Sequence, residues 1–279
     1  MSATTAPHSA AQTALTRRSH RRWTYYILPV YTALVIIYLC LPIFVTILFG
    51  FNNTKGKYNT KFQGFTLKWY RDLFAIPGLT SALINTITIA IMATLVSVVL
   101  GSMLGLAMGR YSFRGKGATG LTLFAQIATP ELVLGTSLLS MFLMIGMARG
   151  YWTILIAHVM FCIPFVAVTV QARVAGLNHS LEEASLDLGA TPWVTFRKIT
   201  LPMIMPGVVS GGLLALALSI DDYVTTSFNN GSTETFPLWV FGSSRMGIPP
   251  QVNVMGTLIF AFGVVIVVAN VLVARKKKV

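Results

Sequence analysis

Residues 73–109 read LFAIPGLTSALINTITIAIMATLVSVVLGSMLGLAMG and contain no Asp, Glu, Lys or Arg. A helix needs roughly 20 residues to cross the hydrocarbon core of a bilayer, so this stretch is long enough to span one. The whole chain of 279 residues has the same character, with 54% hydrophobic residues, 10% charged residues and a mean hydropathy of +0.71. Soluble domains contain about 25% charged residues. The sequence therefore predicts an all-α integral membrane protein and excludes most soluble folds.

Similar apolar intervals occur along the rest of the chain, and together they predict six membrane-spanning helices. We place these helices near 27–51, 82–108, 119–146, 152–174, 203–222 and 253–274. They form one transmembrane domain over residues 23–274. The preceding segment 1–22 is rich in Ala, Ser and Thr and is expected to be disordered, and residues 275–279 form a short basic tail.

The basic residues predict the orientation of the spans. With a cytoplasmic N-terminus, fourteen of the 21 Lys and Arg residues lie on the inner side. Cytoplasmic loops carry the excess of positive charge in membrane proteins, so both termini are expected to be cytoplasmic. The first outer loop holds five of the other seven, and its segment 65–75 is expected to form a short helix on the outer surface. The net charge of +13 thus reflects the bilayer and does not indicate nucleic-acid binding.

Three glycines in the second span, Gly101, Gly105 and Gly109, repeat a small-x-x-x-small pattern on one helix face. Such faces allow two helices to approach closely in a membrane. The pattern does not decide whether the neighbouring helix belongs to this chain or to a second subunit.

The inner loop 180–202 contains signals for two short helices joined by a fixed turn. Ser180 with Glu183 matches a capping box, and Gly189 permits the left-handed geometry that ends a helix. Thr191 and Pro192 fit the cap and first position of a second helix, and Leu201-Pro202 is expected to break that helix before the fifth span. The pattern predicts a rigid docking surface for a cytoplasmic partner. The alternative is an amphipathic helix on the lipid headgroups.

Acidic residues inside the spans are the candidate substrate-path residues. An ionised side chain in a membrane helix is costly, so it usually faces a cavity or a partner. Glu131 is expected in the middle of the third span, and Asp221 and Asp222 at the outer end of the fifth, with Ser219 on the face of Asp222. Alternatively, Glu131 is protonated and bonded to a neighbouring helix, and the two aspartates cap the segment that follows.

No Lys or Arg occurs in the core of any predicted span, so the acidic lining favours a cationic substrate over an anion. Tyr223 is suited to stack on an alkyl-ammonium group, although an aromatic residue at the membrane interface is the more common role. His158 is expected to be a hydrogen-bonded packing residue.

The inner loop resembles the EAA loop of bacterial ABC importer permeases. Glu183-Ala184-Ser185, then Gly189, then Ile199-x-Leu201-Pro202 match the spacing of that motif, with Ser185 as the one departure from its third residue. The resemblance implies a type I, MetI-like permease fold with cytoplasmic coupling helices that enter a groove of an ATPase subunit. Glu183, Ala184, Gly189, Leu201 and Pro202 would then be the coupling residues.

Three further segments are similar to the polyamine permeases of the spermidine/putrescine importers, of the PotC/PotI type. These are Phe49-Gly-Phe-Asn52, the run Thr-Pro-Glu131-Leu-Val-Leu-Gly and the run Leu218-Ser-Ile-Asp-Asp-Tyr223. The family often carries Asp where this chain has Glu131. The resemblance implies inward polyamine transport across the bacterial plasma membrane, with Glu131, Ser219, Asp221, Asp222 and Tyr223 along the substrate path.

The resemblance also implies partners. These are a second homologous permease, an ATPase dimer that binds ATP and Mg, an extracytoplasmic polyamine-binding protein and the lipid bilayer. The chain has no Walker A sequence and no convergent nucleophile, base or metal set, so we expect neither an enzyme nor a cofactor of its own. One alternative is the same machine with iron, thiamine, a sugar or an amino acid as cargo. The other is a secondary transporter or channel, disfavoured by the lack of a repeated broken helix.

Overall fold

The computed structural model describes residues 22–56 and 59–276, and helices account for most of this part of the chain. They are α1 (Arg22–Gly50), α2 (Lys68–Arg71), α3 (Pro77–Arg110), α4 (Lys116–Ala128), α5 (Glu131–Met144), α6 (Tyr151–Ala175), α7 (Ser180–Asp187), α8 (Pro192–Thr195), a π turn (Phe196–Thr200), α9 (Leu201–Asp221), α10 (Val224–Asn229), α11 (Phe236–Ser243) and α12 (Pro250–Lys276). The all-α class is confirmed.

Five helical segments of the described chain are long and apolar enough to cross a membrane. They lie in α1, α3, α6, the continuous stretch Pro192–Asp221, and α12. The pair α4 and α5 passes the same test together, but its axis bends by 108° at the break. If this pair is one span, the described residues contain the six predicted spans.

The α3 glycines pack against α6 of the same chain, which answers the question that the sequence left open. A Cβ atom on Gly105 would lie 2.5 Å from the Ala167 carbonyl oxygen and 2.8 Å from the Val170 Cβ. A Cβ atom on Gly101 would lie 2.7 Å from the Val166 Cβ, and one on Gly109 would lie 2.7 Å from the Val174 Cγ1. The absence of side chains at these three positions therefore sets the distance between α3 and α6, with α9 packed against both.

The third predicted span is not one continuous helix, so the expectation that Glu131 lies inside a helix is wrong; Glu131 lies at the break near the middle of the α4–α5 pair. α4 ends at Ala128, Thr129 is extended with φ −72° and ψ 128°, and α5 begins at Glu131. A residue before proline is disfavoured in helical geometry, which explains the break between Thr129 and Pro130. Glu131 thus lies at the start of a helix.

A second break follows α9 and separates Asp221 from the short helix α10. α10 packs mainly against α5 and α6. The described chain therefore contains broken helices. The expected lack of a repeated broken helix can no longer be used as an argument against a secondary transporter.

The inner loop has the predicted turn between two short helices. Gly189 has φ +83°, and the Ala190 N–H donates to the Ser185 carbonyl across the end of α7. Thr191 caps α8, its hydroxyl accepting from the Val194 N–H at 3.4 Å.

Two details of that loop differ from the prediction. Ser180 and Glu183 do not form a capping box; the Ser180 N–H instead donates to the Asn178 side chain at 3.1 Å. Leu201-Pro202 does not break the second helix, because the π turn carries α8 directly into α9. A π turn shifts the backbone pairing by one residue, so the missing N–H of Pro202 is tolerated there.

The segment that follows the C-terminal end of α1 is ordered by Asn52, which is fully buried. Its side chain donates to Asn59 and to the Lys61 carbonyl, each at 2.7 Å, and its own carbonyl accepts from the Trp69 indole at 2.7 Å. The predicted surface helix 65–75 is limited to α2. The predicted tails 1–22 and 275–279 lie outside the described residues except Arg22, Arg275 and Lys276, which belong to α1 and α12.

Replacing Gly105 by Val is expected to lower the stability of the protein, because the new side chain forces α3 and α6 apart. Overpacking of this kind costs about 1–3 kcal/mol. The measurement is the melting temperature of the purified protein in detergent. The control is Gly263→Val in α12, where a Cβ would meet no atom within 4 Å. Equal melting temperatures for the two variants would contradict the proposed α3–α6 packing.

Candidate functional site

The two helix breaks open onto one cavity of about 270 Å³. Residues around the α4–α5 break form one wall, and residues around the α9–α10 break form the opposite one. Phe161 and Phe165, one turn apart on α6, complete the lining. The cavity therefore exists because the chain leaves the helical path at two places that face each other.

Glu131 and Asp221 place two exposed carboxylates at this cavity. Asp221 is the last residue of α9, where the unpaired carbonyls of the helix end add negative potential. The described lining includes no Lys or Arg to neutralise either group. The site is suited to a cation, as the sequence predicts.

The cavity walls also carry aromatic side chains. Phe161 and Phe165 were missed by the sequence analysis, and their spacing of four residues on α6 is the signal that could have found them. Tyr223 is also part of the lining and packs on Phe241, with ring centroids 4.7 Å apart. Aromatic faces attract ammonium groups and bury methylene chains.

Asp222 differs from Asp221 because its carboxylate already accepts hydrogen bonds from neighbouring protein groups. It accepts from the Thr226 N–H at 2.7 Å, the Thr226 hydroxyl at 2.6 Å and the Thr225 N–H at 3.3 Å. These bonds cap α10, and the Asp222 side chain is only 4% exposed. The alternative that the aspartates cap the next segment holds for Asp222, which also lies at the cavity wall.

Ser219 is buried beside Asp222 and belongs to the same network. His158 Nδ1 lies 2.6 Å from Ser219 Oγ, and Nε2 lies 2.9 Å from Thr226 Oγ1 and 3.4 Å from Asp222. Because the Thr226 hydroxyl donates to Asp222, the His158 Nε2–H donates to Thr226. The prediction that His158 is a hydrogen-bonded packing residue is confirmed, and Ser219 does not line the cavity.

The predicted coupling residues divide into exposed and packed positions. Glu183, Ala184 and Gly189 are exposed, and so are the apolar side chains of Leu188 and Trp193, at 88% and 67%. Leu201, by contrast, is half-buried and packs against the core around Val170 and Ile204. Pro202 is exposed at the start of α9. The surface available to a partner is therefore α7, the Gly189 turn and the start of α8.

The inner loop also makes polar contacts at its inward-facing side that the sequence did not indicate. Glu182 forms an ion pair with Arg110 at the end of α3 and accepts a hydrogen bond from Thr200 in the π turn. No three His, Cys, Asp or Glu residues in the described ranges are grouped to hold a metal ion.

Comparison with known proteins gives a family match and close relatives. The family model described as "Binding-protein-dependent transport system inner membrane component" matches residues 97–278. The spermidine/putrescine transport system permease protein PotC of Haemophilus influenzae is 39% identical, over 87% of this chain and 94% of its own length. The putrescine transport system permease protein PotI of Escherichia coli K12 is 39% identical, over 86% and 88%.

Solved structures share the fold at lower identity. A chain of a bacterial ABC transporter that imports the acidic polysaccharide alginate aligns with a TM-score of 0.66 at 16% identity, over 91% of this chain and 96% of that one. A chain of the MetNI methionine ABC transporter aligns with a TM-score of 0.58 at 17% identity, over 74% and 97%. These matches confirm the predicted MetI-like fold.

Replacing Asp222 by Ala is expected to destabilise the protein by about 1–3 kcal/mol, through loss of a helix cap and of partners for buried donors. Asp221→Ala removes an exposed carboxylate one residue away and should change the stability little. The melting temperatures of the two variants in detergent compare these effects. If Asp221→Ala is the more damaging change, the capping assignment is wrong.

Proposed function

The chain belongs to the family of binding-protein-dependent transport system inner membrane components and is the permease of an ABC importer, and we propose that its cargo is a polyamine such as spermidine or putrescine. It is a transport subunit without ATPase activity, and its family binds no cofactor. ATP and Mg are bound by the partner ATPase. The cargo, the path residues and the detailed assembly are the proposed parts.

The cavity between the two helix breaks carries the cargo proposal. Glu131 and Asp221 supply negative charge at two separate points, and the lining lacks a basic residue. Phe161, Phe165 and Tyr223 provide aromatic faces in the same lining. A polyamine has ammonium groups separated by methylene chains, so it matches this combination of charged and apolar surface. The names of the PotC and PotI relatives support the same cargo.

Dispersed carboxylates also suit passage better than one dense site. A conduction path must bind the ion well enough to admit it and weakly enough to release it. Asp222, held by Thr225, Thr226 and His158, contributes to the shape of the path and leaves Asp221 and Glu131 as the two binding charges. In the proposed path the cation meets Asp221 first and then Glu131.

Binding-protein and ATPase partners follow from the family. In the proposed assembly, this chain pairs with a second homologous permease, two ATPase copies dock on the inner loops, and an external protein delivers the polyamine. ATP binding closes the ATPase dimer and moves the loop 180–202, and the spans rock between inward-facing and outward-facing states.

The protein is a multi-pass inner membrane protein, and we place both termini in the cytoplasm. Arg110 and Glu182 bring the end of α3 and the inner loop to the same side. The basic segments around residues 110–116 and 197–198 lie there, as expected for a cytoplasmic face. With six spans, the first residues of α1 and the last residues of α12 also lie on this side.

Glu131→Gln and Asp221→Asn are each expected to lower polyamine uptake about tenfold or more while leaving the complex assembled, because each removes a charge worth 1.4 kcal/mol or more to a bound cation. The measurement is uptake of labelled spermidine into proteoliposomes that contain the permease pair, the ATPase and the binding protein. Co-purification of the ATPase reports assembly.

The matched control is Glu234→Gln, which neutralises an exposed carboxylate of an outer loop. Its uptake should equal that of the unmodified complex. Normal spermidine uptake by both Glu131→Gln and Asp221→Asn would remove these residues from the path. Uptake of a neutral sugar in preference to spermidine by the unmodified complex would overturn the cargo proposal.

Replacing Gly189 by Val is expected to uncouple ATP hydrolysis from transport or to release the ATPase, because a β-branched residue is strained at φ +83°. The control is Gly176→Val at the end of α6, where φ is −89°. ATPase retention and spermidine uptake are measured for both. Unchanged values for Gly189→Val would show that the turn has no coupling role.

A further inference from the structure

The helix α7 has no buried apolar face. None of its eight residues is buried. Its exposed side chains include Leu181 and Leu186, at 51% and 46%, and Leu188, which follows the helix, is 88% exposed. Since most helices in proteins are held by burial of an apolar face, α7 depends on specific polar contacts for its position.

Glu182 makes the contacts that join α7 to the spans. One carboxylate oxygen pairs with the Arg110 guanidinium at the last residue of α3, and the other accepts from the Thr200 hydroxyl at 2.8 Å. The side chains of Arg110 and Glu182 are only 14% and 18% exposed. An ion pair that is shielded in this way is held more firmly than a surface pair.

The rest of the loop is linked internally. Ser185 and Thr195 are hydrogen-bonded at 3.0 Å between their hydroxyl oxygens, which joins α7 to α8. α8 continues through the π turn into α9. Glu182 thus connects α7 to the inner end of α3 and, through Thr200, to the start of α9.

We propose that Glu182 is a positioning residue that fixes α7 to α3 and α9, so that movement of the docked loop is transmitted to two spans at once. This inference rests on the proposed coupling role of the loop. Glu183, on the exposed side, serves contact with the ATPase, whereas Glu182 faces the membrane domain. Loss of Glu182 leaves the docking surface intact and breaks the transmission.

The experiment compares three charge-neutralised variants in the complete complex, two in α7 and one outside it. Glu182→Gln is expected to keep the ATPase bound and to raise the number of ATP molecules hydrolysed per spermidine transported about tenfold, because it weakens two charge-assisted contacts. Glu183→Gln is expected to lower ATPase retention instead. Glu234→Gln, which neutralises an exposed carboxylate outside the docking surface, is the control with no expected change.

Two further measurements separate positioning from a general loss of folding. Hydrogen exchange of the α7 amides should rise in Glu182→Gln and stay unchanged in Glu234→Gln. The exchanged pair Arg110→Glu with Glu182→Arg should recover coupling, since it restores the ion pair with the charges reversed. If Glu182→Gln does not fold, Thr200→Val removes one of the two contacts without a buried charge and should show a smaller loss of coupling.

The outcomes distinguish this inference from the cargo proposal. If the unmodified complex transports no spermidine, the cargo proposal fails, and the hydrogen exchange of α7 still decides whether Glu182 positions the loop. Unchanged exchange in Glu182→Gln, or an unchanged ratio of ATP to solute, would overturn the inference. Loss of the ATPase in Glu182→Gln would also overturn it, because Glu182 would then belong to the docking surface.

Discussion

Interruption of a helix in an apolar environment is the constraint on which this structure depends. A membrane interior offers no water to backbone groups, so helices run unbroken unless neighbouring protein groups meet the exposed backbone and side chains. This chain breaks two helices at facing positions, after Ala128 and after Asp221. At the second break, the Asp222 carboxylate satisfies the N–H groups of Thr225 and Thr226. The breaks create the cavity and place Glu131 and Asp221 beside it.

Polar contacts also determine the position of the inner loop. Glu182 combines an ion pair with a hydrogen bond to Thr200, and this residue stands next to Glu183, which is exposed. Two adjacent carboxylates on one short helix therefore meet different surroundings. One joins the loop to the membrane domain, and the other is available to a partner. The close packing of α3 on α6 at Gly105 gives that connection a rigid base.

The sequence predicted the spans and the inner loop well because these features depend on local patterns. Long uncharged runs define the helices, and Gly189 and Thr191 define the turn. It missed the helix break before Glu131 because proline does not always break a helix: Pro130 does, whereas Pro164 and Pro206 lie inside helices. The pairing of Glu182 with Arg110 joins residues 72 positions apart, and no local spacing indicates such a contact. The surroundings of Asp222 likewise depend in part on a distant residue, because α6 brings His158 Nε2 to within 3.4 Å of its carboxylate.

In the proposed mechanism, this chain forms a path for cations that opens when the partner ATPase uses ATP. The most direct measurement is the rate of labelled spermidine uptake into proteoliposomes, with the complete complex or with this chain alone, in the presence and absence of ATP. The account predicts uptake only with the complete complex and ATP. Uptake by this chain alone at the rate of the complete complex, without ATP, would contradict it.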